Sequence, residues 1–169
     1  MAAFVLVIGC GRRDCGHDAL GPRVVERVAE LSLPRVETLI EEAPSVDLVD
    51  LLAERAKGDA VRLLVIVDAA LADLDNPIGT WLRIDYRRQP EALRGRGDRG
   101  MHAQSIPEAL ELAETLGALP AHVWVYAGFG DGFEVGPSTP EVTIELASVM
   151  ADVVACDVCR FISSEADKS

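Results

Sequence analysis

The stretch Val5–Pro22, VLVIGCGRRDCGHDALGP, decides the fold. It opens inside an apolar run from Ala3 to Ile8, turns at Gly9-Cys10-Gly11, carries His17-Asp18 in an acidic loop, and reaches Gly21-Pro22. That order reads as buried strand, glycine turn, loop and helix start. A strand ending in a carboxylate-bearing turn is a usual seat of chemistry in an α/β sheet, because ligands bind outside the carboxyl ends of the strands. A second apolar run, Leu63 to Val67, leads straight into Asp68, and a polar stretch delivers His102 just ahead of a helix. Two carboxylates and an imidazole suit a divalent-metal site or an acid–base set. Singly, each has a plainer reading. Asp18 could cap a helix or be solvated, Asp68 could cap a neighbouring turn, and His102 could be an ordinary loop histidine.

Working outward, Gly21 to Leu31 has helical spacing, with Val24, Val25, Val28 and Leu31 on one face. Val36 to Ile40 reads as a short strand. Asp47 to Lys57 reads as a helix, with Leu48, Leu51, Leu52 and Arg55 in register and Gly58 as its stop. Trp81 to Tyr86 alternates as a half-exposed edge strand would. Arg87 to Gly100 has no periodicity and concentrates Arg87, Arg88, Arg94, Arg96 and Arg99 in an otherwise acidic chain. Ser105 is placed as the N-cap of a helix to Leu116, with Pro107 and Glu108 in its first turn. Val123 to Ala127 is the last strand, and Gly128 to Pro140 a loop. Thr139 caps a final helix carrying Val142, Leu146, Val149, Met150 and Val153 on one side. Alternating strands and helices imply a mostly parallel sheet covered on both faces.

The chain has 169 residues, which bounds it to one domain, expected over 1–162 with a frayed tail over 163–169. A net charge of −12 disfavours nucleic acid and anionic lipid as partners. No run approaches the roughly 20 apolar residues needed to span a bilayer, and no basic leader precedes the first strand. These features lead us to expect a cytoplasmic protein whose four cysteines are thiols or ligands. Cys10 to Cys15 is a C-x4-C and Cys156 to Cys159 a C-x-x-C, which together could hold zinc, although Cys156 also fits a helix core. A dinucleotide reading of Gly9-Cys10-Gly11 fails because the third glycine position is Asp14, whose charge repels a pyrophosphate. There is no G-x-S-x-G elbow and no Walker-type lysine.

In their joint order these motifs resemble the hydrogenase maturation proteases, which trim the C-terminal extension from the large subunit of nickel–iron hydrogenases. That family opens with a strand, G-x-G-N, a short loop, an acidic pair and G-x-G-x-x-V. The matching segment here runs from Gly9 through Asp18 to Gly21 and Val24. Three further segments match: Asp68-Ala69 after a strand, Met101-His102-Ala103-Gln104-Ser105-Ile106-Pro107-Glu108-Ala109-Leu110, and Ser138-Thr139-Pro140-Glu141-Val142. The likeness covers nearly the whole chain. It departs at Arg12, where the family has Asn, and at His17, the first position of the acidic pair. A long Leu71 to Gly79 segment and a long arginine loop before His102 also depart. Such departures point to a branch with its own partner.

The resemblance implies a single three-layer α/β domain of the phosphorylase/hydrolase-like kind, with a mostly parallel twisted sheet of about five strands and helices on both faces. It implies an endopeptidase that reads nickel already seated in the precursor and has no tightly bound cofactor of its own. Asp18, Asp68 and His102 would contact that nickel and carry catalysis, with either carboxylate as general base. His17 is a spare acid–base candidate, with an ordinary exposed loop histidine as its plainer reading. Arg94, Arg96 and Arg99 could grip an acidic partner. The partner would be a hydrogenase large-subunit precursor met by a monomeric protease. The same three ligands would equally serve a nickel-sensing chaperone that docks without cutting.

Overall fold

The computed structural model describes residues 5–42, 46–57, 61–94, 105–136 and 138–167. Among these, β1 (Val5–Cys10), β2 (Val36–Glu41), β3 (Leu63–Leu71), β4 (Trp81–Asp85) and β5 (His122–Gly130) form one sheet in the order β2-β1-β3-β5-β4. The β1–β2, β1–β3 and β3–β5 pairs are parallel, and β4 closes the edge antiparallel to β5. Side chains alternate between the two faces of a strand. Val5, Val7, Val65 and Val67 therefore pack with α1 (Leu20–Glu30) and α5 (Glu141–Ala166). Leu6, Ile8, Leu64 and Ile66 pack on the other side, with α2 (Val46–Lys57) and α4 (Ser105–Thr115). Burial on both faces is why β1 and the first half of β3 read as unbroken apolar runs.

The strand order creates the crevice. The chain leaves β1 toward β2 on one side and later returns as β3 on the other. A ligand crevice opens at such a reversal, outside the carboxyl ends of the diverging strands. Close packing of α1 over this point depends on two glycines. A Cβ on Gly9 would strike the Gly21 carbonyl, and one on Gly21 would strike the backbone of Cys10 and Val67.

Several expectations are corrected. β3 runs on to Leu71 and β5 to Gly130, because Asp68–Leu71 keep pairing with Ala127–Gly130 after β1 has ended. Asp68 consequently sits inside a strand rather than after one. The expected irregular segment from Arg87 contains a short helix, α3 (Pro90–Arg94). Thr139 does not cap α5. Pro140 is the N-cap residue and makes no side-chain cap bond, while Thr139 Oγ1 accepts from Arg23 at 2.9 and 3.2 Å. The buried face of α5 is richer in small residues than expected, with Thr143, Ala147, Ala151 and Ala155 inside and Val149 exposed. Apolar identity alone misread that face, because alanine and threonine let α5 lie close to its neighbours. The frayed tail expected from Ser163 is helical to Ala166, held by the Arg62–Glu165 ion pair at 2.9 Å.

Candidate active site at the carboxyl ends of the parallel strands

Asp18 and Asp68 are positioned by different elements. Asp68 is carried by β3, on the face shared with Cys10, and is 4% exposed. Asp18 lies in a 3-10 turn, Gly16–Ala19, between the first glycine loop and α1, and is 2% exposed. Its Oδ2 accepts the Arg12 backbone N–H at 2.8 Å. Gly11, with φ +120°, shapes the loop, and a Cβ there would collide with the Asp18 backbone and carboxyl. Expected as a loop acid, Asp18 is instead nearly enclosed. A carboxylate this buried is costly unless hydrogen bonds or charge offset the lost hydration.

Cys10 joins the two acids. Burial pushes its thiol well above the ordinary range, and the charges of Asp68, Glu41 and Asp18 push it the same way. This favours the protonated thiol, which is a poor nucleophile.

His17 is the main correction. Expected on an exposed loop as a spare acid–base group, it is fully buried. Its Nε2–H donates to the Gly128 carbonyl at 3.0 Å, which leaves Nδ1 to accept the Thr143 hydroxyl proton at 2.7 Å. This tautomer is assigned from the partners, since a carbonyl can only accept. The ring stands edge-on to Phe133 at 5.5 Å and lies against Gly130, where a Cβ would enter its contact distance. Burial lowers the pKa of His17, against weaker opposing pulls from the Gly128 hydrogen bond, Asp131 and Asp18. The neutral ring thus ties the 3-10 turn to β5 and α5, one residue before Asp18. Backbone bonds add to this, from His17 N–H to the Gly132 carbonyl and from Gly136 N–H to that of Asp14, both 2.9 Å.

Beside Asp68 a cleft of about 530 Å³ opens. Ile84, Leu93, Ile106, Val125 and Phe129 give it apolar walls, and Asp73, Asp75 and Glu91 add carboxylates. Asp73 Oδ1 gathers the backbone N–H groups of Asp75 and Asn76 and the Asn76 side-chain amide at 2.8–3.0 Å, which fixes the loop after β3. Sequence reasoning missed this cleft and Thr143, since no local signal links Thr143 to a histidine 126 positions away.

His102, Arg96 and Arg99 lie outside the described residues, as does the Arg94 side chain. Among the described residues, no group of three His, Cys, Asp or Glu side chains is arranged to hold a metal. The zinc site that the two cysteine pairs could have formed together is not seen there. Cys10 and Cys15 are buried, whereas Cys156 and Cys159 are exposed on α5. Arg87 is engaged within the fold, donating to Glu114 at 2.9 Å and to the carbonyls of Leu119 and Pro120. No described helix is long and apolar enough to cross a membrane.

No protein-family model matches the chain. No curated protein matches it in sequence. Solved structures do match. The hydrogenase maturating endopeptidase HybD from E. coli superposes with a TM-score of 0.71 at 20% identity, covering 98% of this chain and 94% of that one. The nickel–iron hydrogenase maturation protease HybD from Thermococcus kodakarensis gives 0.69 at 18% identity, covering 91% and 97%. The hydrogenase 2 maturation peptidase from Thaumarchaeota archaeon SCGC_AB-539-E09 gives 0.62 at 23% identity, covering 91% and 97%. Over almost its whole length, then, this chain has the fold of the hydrogenase maturation endopeptidases.

Proposed function

We propose that this protein is an endopeptidase that removes the C-terminal extension of a nickel–iron hydrogenase large-subunit precursor once nickel has been inserted. One observation carries the reading: two carboxylates, Asp18 and Asp68, are almost fully buried, and the charge of each is felt at Cys10, the last residue of β1 beside the reversal point of the strand order. The endopeptidase fold of the solved structures named above supports it.

In this reading nickel belongs to the substrate. Asp18, Asp68 and His102 contact it, and oxygen and imidazole donors do so without stripping it from the substrate's thiolates. Nickel polarises the scissile carbonyl, and one carboxylate takes the proton of the attacking water and returns it to the leaving amine. The cleft beside Asp68 receives the chain next to the scissile bond, its apolar walls excluding water. The protease acts as a cytoplasmic monomer, where the thiols remain reduced.

The test uses the unprocessed large subunit, nickel-loaded and nickel-free, with loss of the extension followed by mass. Cutting confined to the nickel-loaded precursor is expected. Nickel-dependent complex formation without cutting would replace the peptidase with a docking chaperone, and cutting regardless of nickel would remove the metal from recognition.

A further inference from the structure

The active-site reading leaves Cys156 and Cys159 unused. Both are free thiols exposed on α5. The helix around them is held firmly: Val154, Ala155, Val158 and Phe161 are buried. Asp157, between the two cysteines, accepts from Tyr126 Oη–H at 2.7 Å and Arg83 Nη1–H at 3.0 Å. With those residues fixed inward, 156 and 159 project outward from one helix face. Residues three apart on a helix have Cβ atoms about 5–6 Å apart. A disulfide needs roughly 3.5–4.5 Å between them, so closing one would distort a helix that is anchored on both sides of the pair. A metal ion spans the gap more easily, since each sulfur sits about 2.3 Å from a zinc-like centre.

We propose that Cys156 and Cys159 form a two-thiolate chelate for one thiophilic metal ion of the zinc type on the outer face of α5, separate from the Asp18–Asp68 site. Binding requires loss of both thiol protons, so it weakens as pH falls. The chelate is made within one chain, with water completing the coordination.

The experiment titrates the reduced full-length protein with cobalt(II) and follows the thiolate-to-cobalt charge-transfer absorption, then displaces cobalt with zinc. One equivalent of cobalt per chain is expected. Cys156→Ser and Cys159→Ser each weaken binding by at least the roughly 10–100-fold that loss of an outer-shell partner costs a metal site. The double variant loses the band, and Cys15→Ser keeps it. Far-ultraviolet circular dichroism should be unchanged in the surface variants. Absence of the band, its survival in the double variant, or one cobalt per two chains would each overturn the proposal. None of these outcomes depends on peptidase activity.

Discussion

Asp18 and Asp68 are both almost fully buried, and the charge of each is felt at Cys10, yet they are held by different physics. Asp68 is fixed by backbone pairing, because β3 keeps its ladder to β5 through Leu71 and a strand position does not depend on any one side chain. Asp18 sits on a single 3-10 turn and is fixed by side chains and close approaches: His17 to Gly128 and Thr143, Gly130 under the ring, and Gly11 against its carboxyl. One carboxylate is robust to distant substitution and the other is not. The two halves of the site should therefore fail differently.

The largest stability effect is expected at Gly130. Adding a Cβ in Gly130→Ala presses on a ring already hydrogen-bonded at both nitrogens, and overpacking of this kind costs about 1–3 kcal/mol. Chemical denaturation measures the loss, and activity should fall further than stability alone explains, since the turn carrying Asp18 must move. An unchanged midpoint would mean the ring has room and the strut is loose.

Next comes Thr143→Val, which keeps the shape and removes the donor to His17 Nδ1. Loss of one buried hydrogen bond costs about 1–3 kcal/mol when its partner stays unsatisfied, and the lower end applies here because Nδ1 keeps no charge. In a double-mutant cycle with His17→Gln the two losses should be strongly non-additive. Full additivity would mean the residues do not act as a unit.

A pH effect follows from the lowered pKa of His17. The unfolded chain takes up a proton near the ordinary histidine value of about 6.5 while the folded chain resists it. Stability is then fully present above that value and declines as pH falls from it toward the folded pKa. His17→Gln should flatten this part of the pH–stability curve relative to the parent protein. Parallel curves would sink the assignment of a neutral buried ring.

The smallest effect is on the Asp68 side. Asp73→Ala frees the loop gathered by its Oδ1 without touching β3, so folding stability should move by less than about 1 kcal/mol. In a cleavage assay KM should rise while kcat holds, because the cleft rim changes and Asp68 does not. A fall in kcat at constant KM would tie this loop to the chemistry.

The same contrast explains what could be read beforehand. Asp68 was legible because an unbroken apolar run is a period-independent mark of a doubly buried strand, and a carboxylate at its carboxyl end stands out. The edge character of Trp81–Asp85 was legible from its alternation. The burial of Asp18 and His17 was not, because it depends on Gly128, Gly130 and Thr143, more than a hundred residues further along the chain. The inward face of α5 was misjudged for a related reason. Its alanines and Thr143 carry weak hydropathy signals, and only the closeness of the neighbouring elements makes them core.

The claim that both carboxylates work together on one substrate is tested most directly by Asp18→Asn and Asp68→Asn. Each is assayed side by side with the parent protein on the nickel-loaded precursor, with the released extension quantified by mass. Each substitution keeps the side-chain shape, so folded protein is expected. Cleavage should fall by roughly 10²–10⁴-fold in both, the range for losing a group that handles a proton in the transition state. Near-normal cutting by either folded variant would contradict the account and remove that carboxylate from the site.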